Sequence, residues 1–104
     1  MSSEGIFIVK AEVGEDDQVA FDDWYEDEHL LEALTAFGAE RAWRAWSKIE
    51  PSIHYAYYVF SSVEAAASVP SSNALKILVD KFDKAWDGRV KRSRDVVELS
   101  LIHI

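Results

Sequence analysis

The chain holds no cysteine, two prolines, four glycines and one methionine among its 104 residues. Without cysteine there is no disulfide framework and no thiolate chemistry. Basic residues are also scarce: eleven Lys and Arg face nineteen Asp and Glu, for a formal charge of −8. A net-negative surface repels phosphate backbones and anionic lipid, which makes nucleic acid and membranes poor partners. No apolar run approaches the ~20 residues of a membrane helix. The start, MSSEGIFIVK, has neither the basic n-region nor the long apolar h-region of a signal peptide. These absences predict a soluble, cytoplasmic protein. There is no Gly-rich phosphate loop and no serine in a nucleophile elbow, and no cofactor is expected.

What is present is apolar and aromatic. Half the chain is hydrophobic (49%), with five Phe, four Tyr and four Trp, enough to build a thin core and to argue against disorder. The length fits one domain over residues 1–104. GIFIVKAEV (Gly5 to Val13) reads as a strand. Asp16 or Asp17 is a suitable N-cap for a helix over Gln18 to Phe37, which Gly38 is placed to stop. AERAWRAWSKI (Ala39 to Ile49) and SIHYAYYVF (Ser52 to Phe60) read as two strands of a hairpin turning at Glu50-Pro51. Ser61 and Glu64 form a capping box for a short helix broken at Pro70. A second segment from Ser72 repeats Leu75, Leu78, Val79, Phe82 and Trp86 at helical spacing, with Lys76, Asp80 and Lys84 as i,i+4 pairs outside. Gly88 ends it, and the stretch from Val90 to Ile104 is a last strand. The basic run Arg89 to Arg94 reads as its entry, with an anion site as the sharper alternative.

The order β-α-β-β-α-β predicts an α+β, ferredoxin-like domain: a four-stranded antiparallel sheet with both helices on one face. Alternation sorts the side chains. Phe7, Val9, Ala11 and Val13 share one face, Ile6 and Ile8 the other; Trp43 opposes Trp46, and Tyr57 opposes Tyr58. A sheet apolar on both faces leaves a patch too large for water, so a homodimer joined through the open faces is expected.

FDDWYEDEHL (Phe21 to Leu30) crowds five carboxylates and three aromatic rings ahead of one histidine. The Phe-x-x-Trp-Tyr-x-x-x-His pattern, the Gly that ends the helix, and the Trp/Arg and Tyr-rich strands that follow resemble the dimeric α/β-barrel superfamily, and within it EthD-like proteins. The resemblance implies a ferredoxin-like monomer, a barrel closed by two sheets and a pocket between sheet and helices. It also implies functions such as cofactor-free monooxygenation, polyketide cyclisation, lactone isomerisation or haem handling. Carried over by residue, Phe21, Trp24 and Tyr25 become pocket aromatics and His29 the polar group.

Helical geometry gives a separate expectation. At 100° per residue, Ala20, Trp24, Leu31 and Leu34 fall on one arc facing the sheet, and Tyr25 and His29 share a shoulder beside it. Carboxylates nearby would raise the pKa of His29 and burial would lower it. Such a group could exchange a proton with a carbon acid or phenol, while Tyr25, Tyr55 or Tyr57 hydrogen-bonds the developing oxyanion. Catalytic roles are thus expected of His29 and Tyr25, and ligand contacts of Phe21, Trp24, Tyr55, Tyr57 and Trp43. The ligand expected is a small aromatic or polyketide-like molecule. The competing reading is a non-catalytic binding or structural dimer. Glu26-x-x-His29 has the spacing of a di-iron half-site, but the second copy is missing and no metal is expected. His54 and His103 read as ordinary strand residues. Arg41 and Arg44 are expected to pack on tryptophan by cation–π contact, or else to clamp an acidic ligand.

Overall fold

Gly5 to Glu12 alternates buried and accessible residues along its length, as a strand covered on one face must. This is β1, and it lies in the middle of the sheet. The computed structural model describes residues 3–99. Around β1 stand β2 (Arg41–Trp46), β3 (Ile53–Phe60) and β4 (Lys91–Glu98), in the order β2-β3-β1-β4. All three neighbouring pairs are antiparallel. The expected ferredoxin-like topology is what the chain adopts. The expected last strand reaches Glu98 here; its continuation over 100–104, with His103, lies outside the described residues.

Register fixes the two faces. Phe7 pairs with Tyr58 and Val96, Val9 with Ala56 and Arg94, and Ala11 with His54 and Arg92. These residues face the helices: α1 (Gln18–Trp24), α2 (Leu30–Phe37), α3 (Val63–Ser68) and α4 (Asn73–Trp86). The other face carries Ile6, Ile8, Tyr55, Tyr57 and Trp43, with no element of the described residues over them; Val59, on the same side, is buried.

Local signals explain the element ends, with small corrections. Ser62, one residue later than expected, caps α3 by accepting a bond from the Ala65 N–H. Ser72 does the same for α4 through Leu75. Pro70 sits in the 3₁₀ turn Val69–Ser71 between the two helices. Gly38 takes the left-handed conformation (φ 70°) that ends α2. Asp17 stands at the N-cap of α1 without capping it; its carboxylate accepts from Arg89 instead. β2 is shorter than the stretch read from sequence, because Ser47 turns the chain by accepting the N–H groups of Ile49 and Glu50. On α4, Leu75, Leu78, Phe82 and Trp86 are buried and Val79 is half-buried, as the periodicity predicts. Its charges do not pair along the helix but reach other elements: Lys81 to Glu32 and Asp83 to Arg92. Among the described residues no helix is long and apolar enough to cross a membrane.

At Gly5 helix α3 comes close to the sheet. A Cβ there would lie 2.6 Å from the Val63 Cα and 2.8 Å from the Ala66 Cβ. Gly5→Ala is therefore expected to push α3 off β1 at a cost of about 1–3 kcal/mol. Urea unfolding measures this, and a loss below ~0.5 kcal/mol would mean that α3 yields without repacking.

Candidate functional site

The first helix buries Phe21, Tyr25, His29 and Ala33, a stripe spaced by four. In an unbroken α-helix such a stripe drifts by ~40° per step and leaves the core. It stays because Tyr25–His29 forms a π turn between α1 and α2, with the Leu30 N–H donating to the Tyr25 carbonyl five residues back. This corrects the expected arc. Ala20 and Leu31 are exposed, Leu34 is half-buried, and the supposed shoulder of Tyr25 and His29 is the face that packs on the sheet. Trp24 and His29, ~140° apart in a regular helix, are brought together by the wider turn. Their rings stack at 4.2 Å and 15°.

Around His29 the contacts are aromatic. Tyr25 meets its ring at a right angle, 4.8 Å away, and Phe82 of α4 lies 5.8 Å away. The imidazole is 5% exposed, and its Nδ1 is buried with no hydrogen-bond partner. The nearest carboxylate oxygen, Glu32 Oε1, stands 3.9 Å from Nδ1, while Glu32 Oε2 accepts from Lys81 Nζ at 2.7 Å. Burial lowers the His29 pKa to about 4; Glu32 opposes this, and Arg92 and Lys81 reinforce it. Of the two opposed influences expected from sequence, burial wins, and the ring is neutral at pH 7. Tyr25 shares a hydrogen bond with Tyr58 of β3, and burial pushes its hydroxyl up to about 12. The Tyr58 hydroxyl is also raised well above 10 by burial. Both phenols therefore remain protonated donors.

Tyr25, His29, Tyr58, Phe82, Arg92 and Arg94 line a cavity of about 20 Å³ between sheet and helices, closed by apolar residues such as Val9, Phe37 and Leu78. That volume admits about one water molecule. A wider groove of about 570 Å³ crosses the outer surface between α1 and the β2–β3 turn. Its best-placed polar group is already engaged: Asp22 accepts from Trp46 Nε1 at 2.8 Å and from Arg44 Nη1 at 2.5 Å, and Arg44 first, then Trp46, holds its pKa below the usual value. The smaller cavity, not the groove, has the chemistry.

Of the residues expected at the site, Tyr25 and His29 meet in the cavity. Phe21 and Trp24 form its second layer, at 5.1 Å from Tyr25 and stacked on His29 respectively. Trp43, Tyr55 and Tyr57 do not join them. They alternate onto the open face, where Trp43 stacks on Tyr57 at 5.4 Å and Tyr55 on Tyr57 at 6.0 Å, with the sheet between them and His29. Arg41 and Arg44 do lie on opposite faces, but neither packs on tryptophan. Arg41 pairs with Glu4, and Arg44 pairs with Asp22 and Glu26, two of the carboxylates ahead of the histidine. Glu26 is thereby engaged by Arg44. The cation–π contacts are instead Arg92 over Phe82 and Arg89 over Trp86.

Sequence reasoning missed Tyr58 and Glu32, read His54 as an ordinary strand residue, and gave Arg92 and Arg94, within the basic run, an anion site only as the alternative. His54 is fully buried with both ring nitrogens unpartnered, 4.7 Å from Tyr25 and 4.9 Å from Trp46. Burial first, then Arg44, lowers its pKa to about 4. The signal for Tyr58 and His54 was the alternation of β3, which puts both on the face of Phe7; Glu32 is a simple i+3 neighbour of His29.

No protein-family model matches the chain, and no curated protein matches it in sequence. Solved structures do match in fold. An EthD (ethyl tert-butyl ether D) family protein of Bacillus halodurans is 13% identical, with a TM-score of 0.67 over 92% of this chain and 99% of that one. A NIPSNAP family protein of unknown function from Agrobacterium tumefaciens is 14% identical, with a TM-score of 0.67 over 94% and 89%. A Nitrosomonas europaea protein likened to antibiotic biosynthesis monooxygenases is 16% identical, with a TM-score of 0.65 over 94% and 91%. These likenesses are to proteins of the dimeric α/β-barrel superfamily, and this chain has their ferredoxin-like fold.

Proposed function

We propose that the cavity at the π turn is the ligand site of a small, cofactor-free enzyme that moves a proton on an aromatic or polyketide-like molecule. The observation that carries this reading is His29: a buried, neutral imidazole with an unpartnered nitrogen, at a cavity wall beside a protonated tyrosine pair. A buried polar atom without a partner costs stability, and active sites are where such a cost is retained. Nδ1, the nitrogen without a partner, is the one free to accept, since Glu32 Oε1 at 3.9 Å is beyond hydrogen-bond reach. His29 then takes a proton from a ligand carbon or hydroxyl, the electron pair moves onto a ligand oxygen, and Tyr25 or Tyr58 donates to that oxygen. Returning the proton at another atom gives an isomerisation or cyclisation; an electron-rich carbanion could instead add dioxygen and a proton to form a hydroperoxide, whose loss of water leaves a carbonyl, which is the oxygenation route.

His29→Phe tests the assignment, since it fills the same space without the orphan nitrogen. Stability at pH 5 is expected to rise, while binding of 1-naphthol and salicylamide, followed by tryptophan emission with Trp24 stacked on the ring, is expected to be lost. Equal binding in both proteins, or binding in neither, would reject the site. His29→Ala would lose a stacked aromatic and is expected to be less stable as well, contrary to what a solvent-facing shoulder residue would give.

One observation favours a second reading. At about 20 Å³ the cavity holds no aromatic ring without widening, which suits a non-catalytic binding or structural module. Failure of any phenol to bind at millimolar concentration would select it.

Under either reading we propose a homodimer. Ile6, Ile8, Tyr55, Tyr57 and Trp43 make an apolar face, half-buried except for Trp43, which is 44% exposed. A patch of that kind on an isolated chain marks an association surface. Light scattering should give twice the 11.8 kDa chain mass. Tyr57→Asp should convert it to monomer; a wild-type monomer at micromolar concentration would reject the dimer.

A further inference from the structure

We infer that the ligand of this cavity is an organic anion, a carboxylate or ionised phenol on a flat ring, whose charged end is taken by Arg94 with Arg92 beside it. The inference rests on the cavity being the ligand site. It adds the charge of what binds there.

The chain as a whole is acidic, at −8. The cavity reverses that balance: its charged lining residues are Arg92 and Arg94, with no Asp or Glu among them. The remaining polar groups, His29, Tyr25 and Tyr58, carry no charge near pH 7. Strand register explains how both guanidinium groups come to the same wall. Arg92 pairs with Ala11 and Arg94 with Val9, two residues apart on the helix-facing side of β4, so their Cα atoms are ~7 Å apart.

The two arginines differ in what they already hold. Arg92 is fixed, its Nη2 donating to Asp83 Oδ1 at 2.5 Å and its guanidinium lying 3.9 Å over the Phe82 ring. Arg41, Arg44 and Arg89 likewise have carboxylates within 4.0 Å. Arg94 alone among the arginines has no such partner among the described residues. Arg94 is itself exposed, at the edge of the cavity, and a guanidinium placed there with no countercharge is a ready fork for a carboxylate or phenolate oxygen. Entry requires the gap between α4 and β4 to widen, and the Asp83–Arg92 bond ties those two elements. An incoming anion competes with Asp83 for Arg92, so the same charge that is recognised also loosens the tie. After proton abstraction by His29, the arginines would face the enolate or phenolate as well.

Salicylate and salicylamide differ mainly in charge and serve as probes. The full chain and its Arg94→Gln and Arg94→Lys variants are titrated with each, with amide NMR shifts locating the site. Salicylate is expected to bind ~10-fold or more tightly than salicylamide, the strength of one charge-assisted bond. Arg94→Gln should remove that advantage without changing salicylamide binding, and Arg94→Lys should restore part of it. Equal affinities for the two probes, or an unchanged salicylate affinity in Arg94→Gln, would overturn the inference and leave the cavity reading intact. Binding of neither probe would overturn both.

Discussion

Acidification from pH 7 to pH 4 is expected to unfold this protein, and two buried histidines are the cause. His29 and His54 have folded pKa values of about 4, against an ordinary value near 6.5. Above pH 6.5 both rings are neutral, folded or unfolded, and contribute no pH dependence. Between 6.5 and 4 the unfolded chain takes up protons that the folded chain refuses, so stability falls as pH falls. The loss approaches about 3 kcal/mol for each ring, together on the order of the whole stability of a small domain. The surrounding charges do not prevent it: Glu32 favours a proton on His29 while Arg92 and Lys81 oppose it, and Asp22 favours one on His54 while Arg44 opposes it more. Asp22 adds to the loss only at lower pH, because its own pKa is depressed and its pairing with Arg44 fails as it protonates. Urea titrations at pH 7, 6, 5 and 4.5 measure the slope. His54→Phe should roughly halve it; a flat profile down to pH 4.5 would show that neither ring is held neutral.

The second large effect belongs to Phe82→Ala. The ring is 3% exposed, and it touches Trp24 at 5.4 Å, His29 at 5.8 Å and Phe21 at 6.0 Å besides carrying the Arg92 guanidinium. Its removal leaves a void where α1, the π turn and α4 meet, at a cost of about 3–5 kcal/mol. For a domain of this size that lowers Tm by roughly 15–30 °C. The same void adjoins the cavity, so the variant should admit 1-naphthol more readily at low temperature. A Tm drop under ~5 °C would place α4 at the periphery of the core.

The sheet was legible in the sequence because strand geometry has one period and β1 obeys it: Phe7, Val9 and Ala11 against Ile6 and Ile8. The buried face of α4 was legible for the same reason, with Leu75, Leu78, Phe82 and Trp86 at a regular helical spacing. The first helix was not. A fixed 100° per residue carried Tyr25 and His29 to the flank and put Leu31 in the core, since nothing in YEDEH announces a π turn. Tyr55, Tyr57 and Trp43 were drawn to the site by residue type, although alternation already placed Tyr57 opposite Tyr58. The basic run Arg89 to Arg94 was legible, with an anion site as one reading, but that Arg92 and Arg94 reach the cavity follows from their pairing with Ala11 and Val9, a register that needs two strands and cannot be read from one.

The π turn also makes this helix editable. Deleting one residue between Tyr25 and His29, Asp27 for instance, would leave an uninterrupted α-helix of ordinary length and would not disturb the strands on either side. Trp24 and His29, five apart across the wide turn, would become four apart in a regular helix, ~40° from one another, so their rings would stay neighbours and α2 would keep its place beside α4. The extra residue of the turn is thus one that the fold absorbs locally, bulging between two helical segments without turning either against the sheet, a step open to a lineage of such proteins as well as to an engineer.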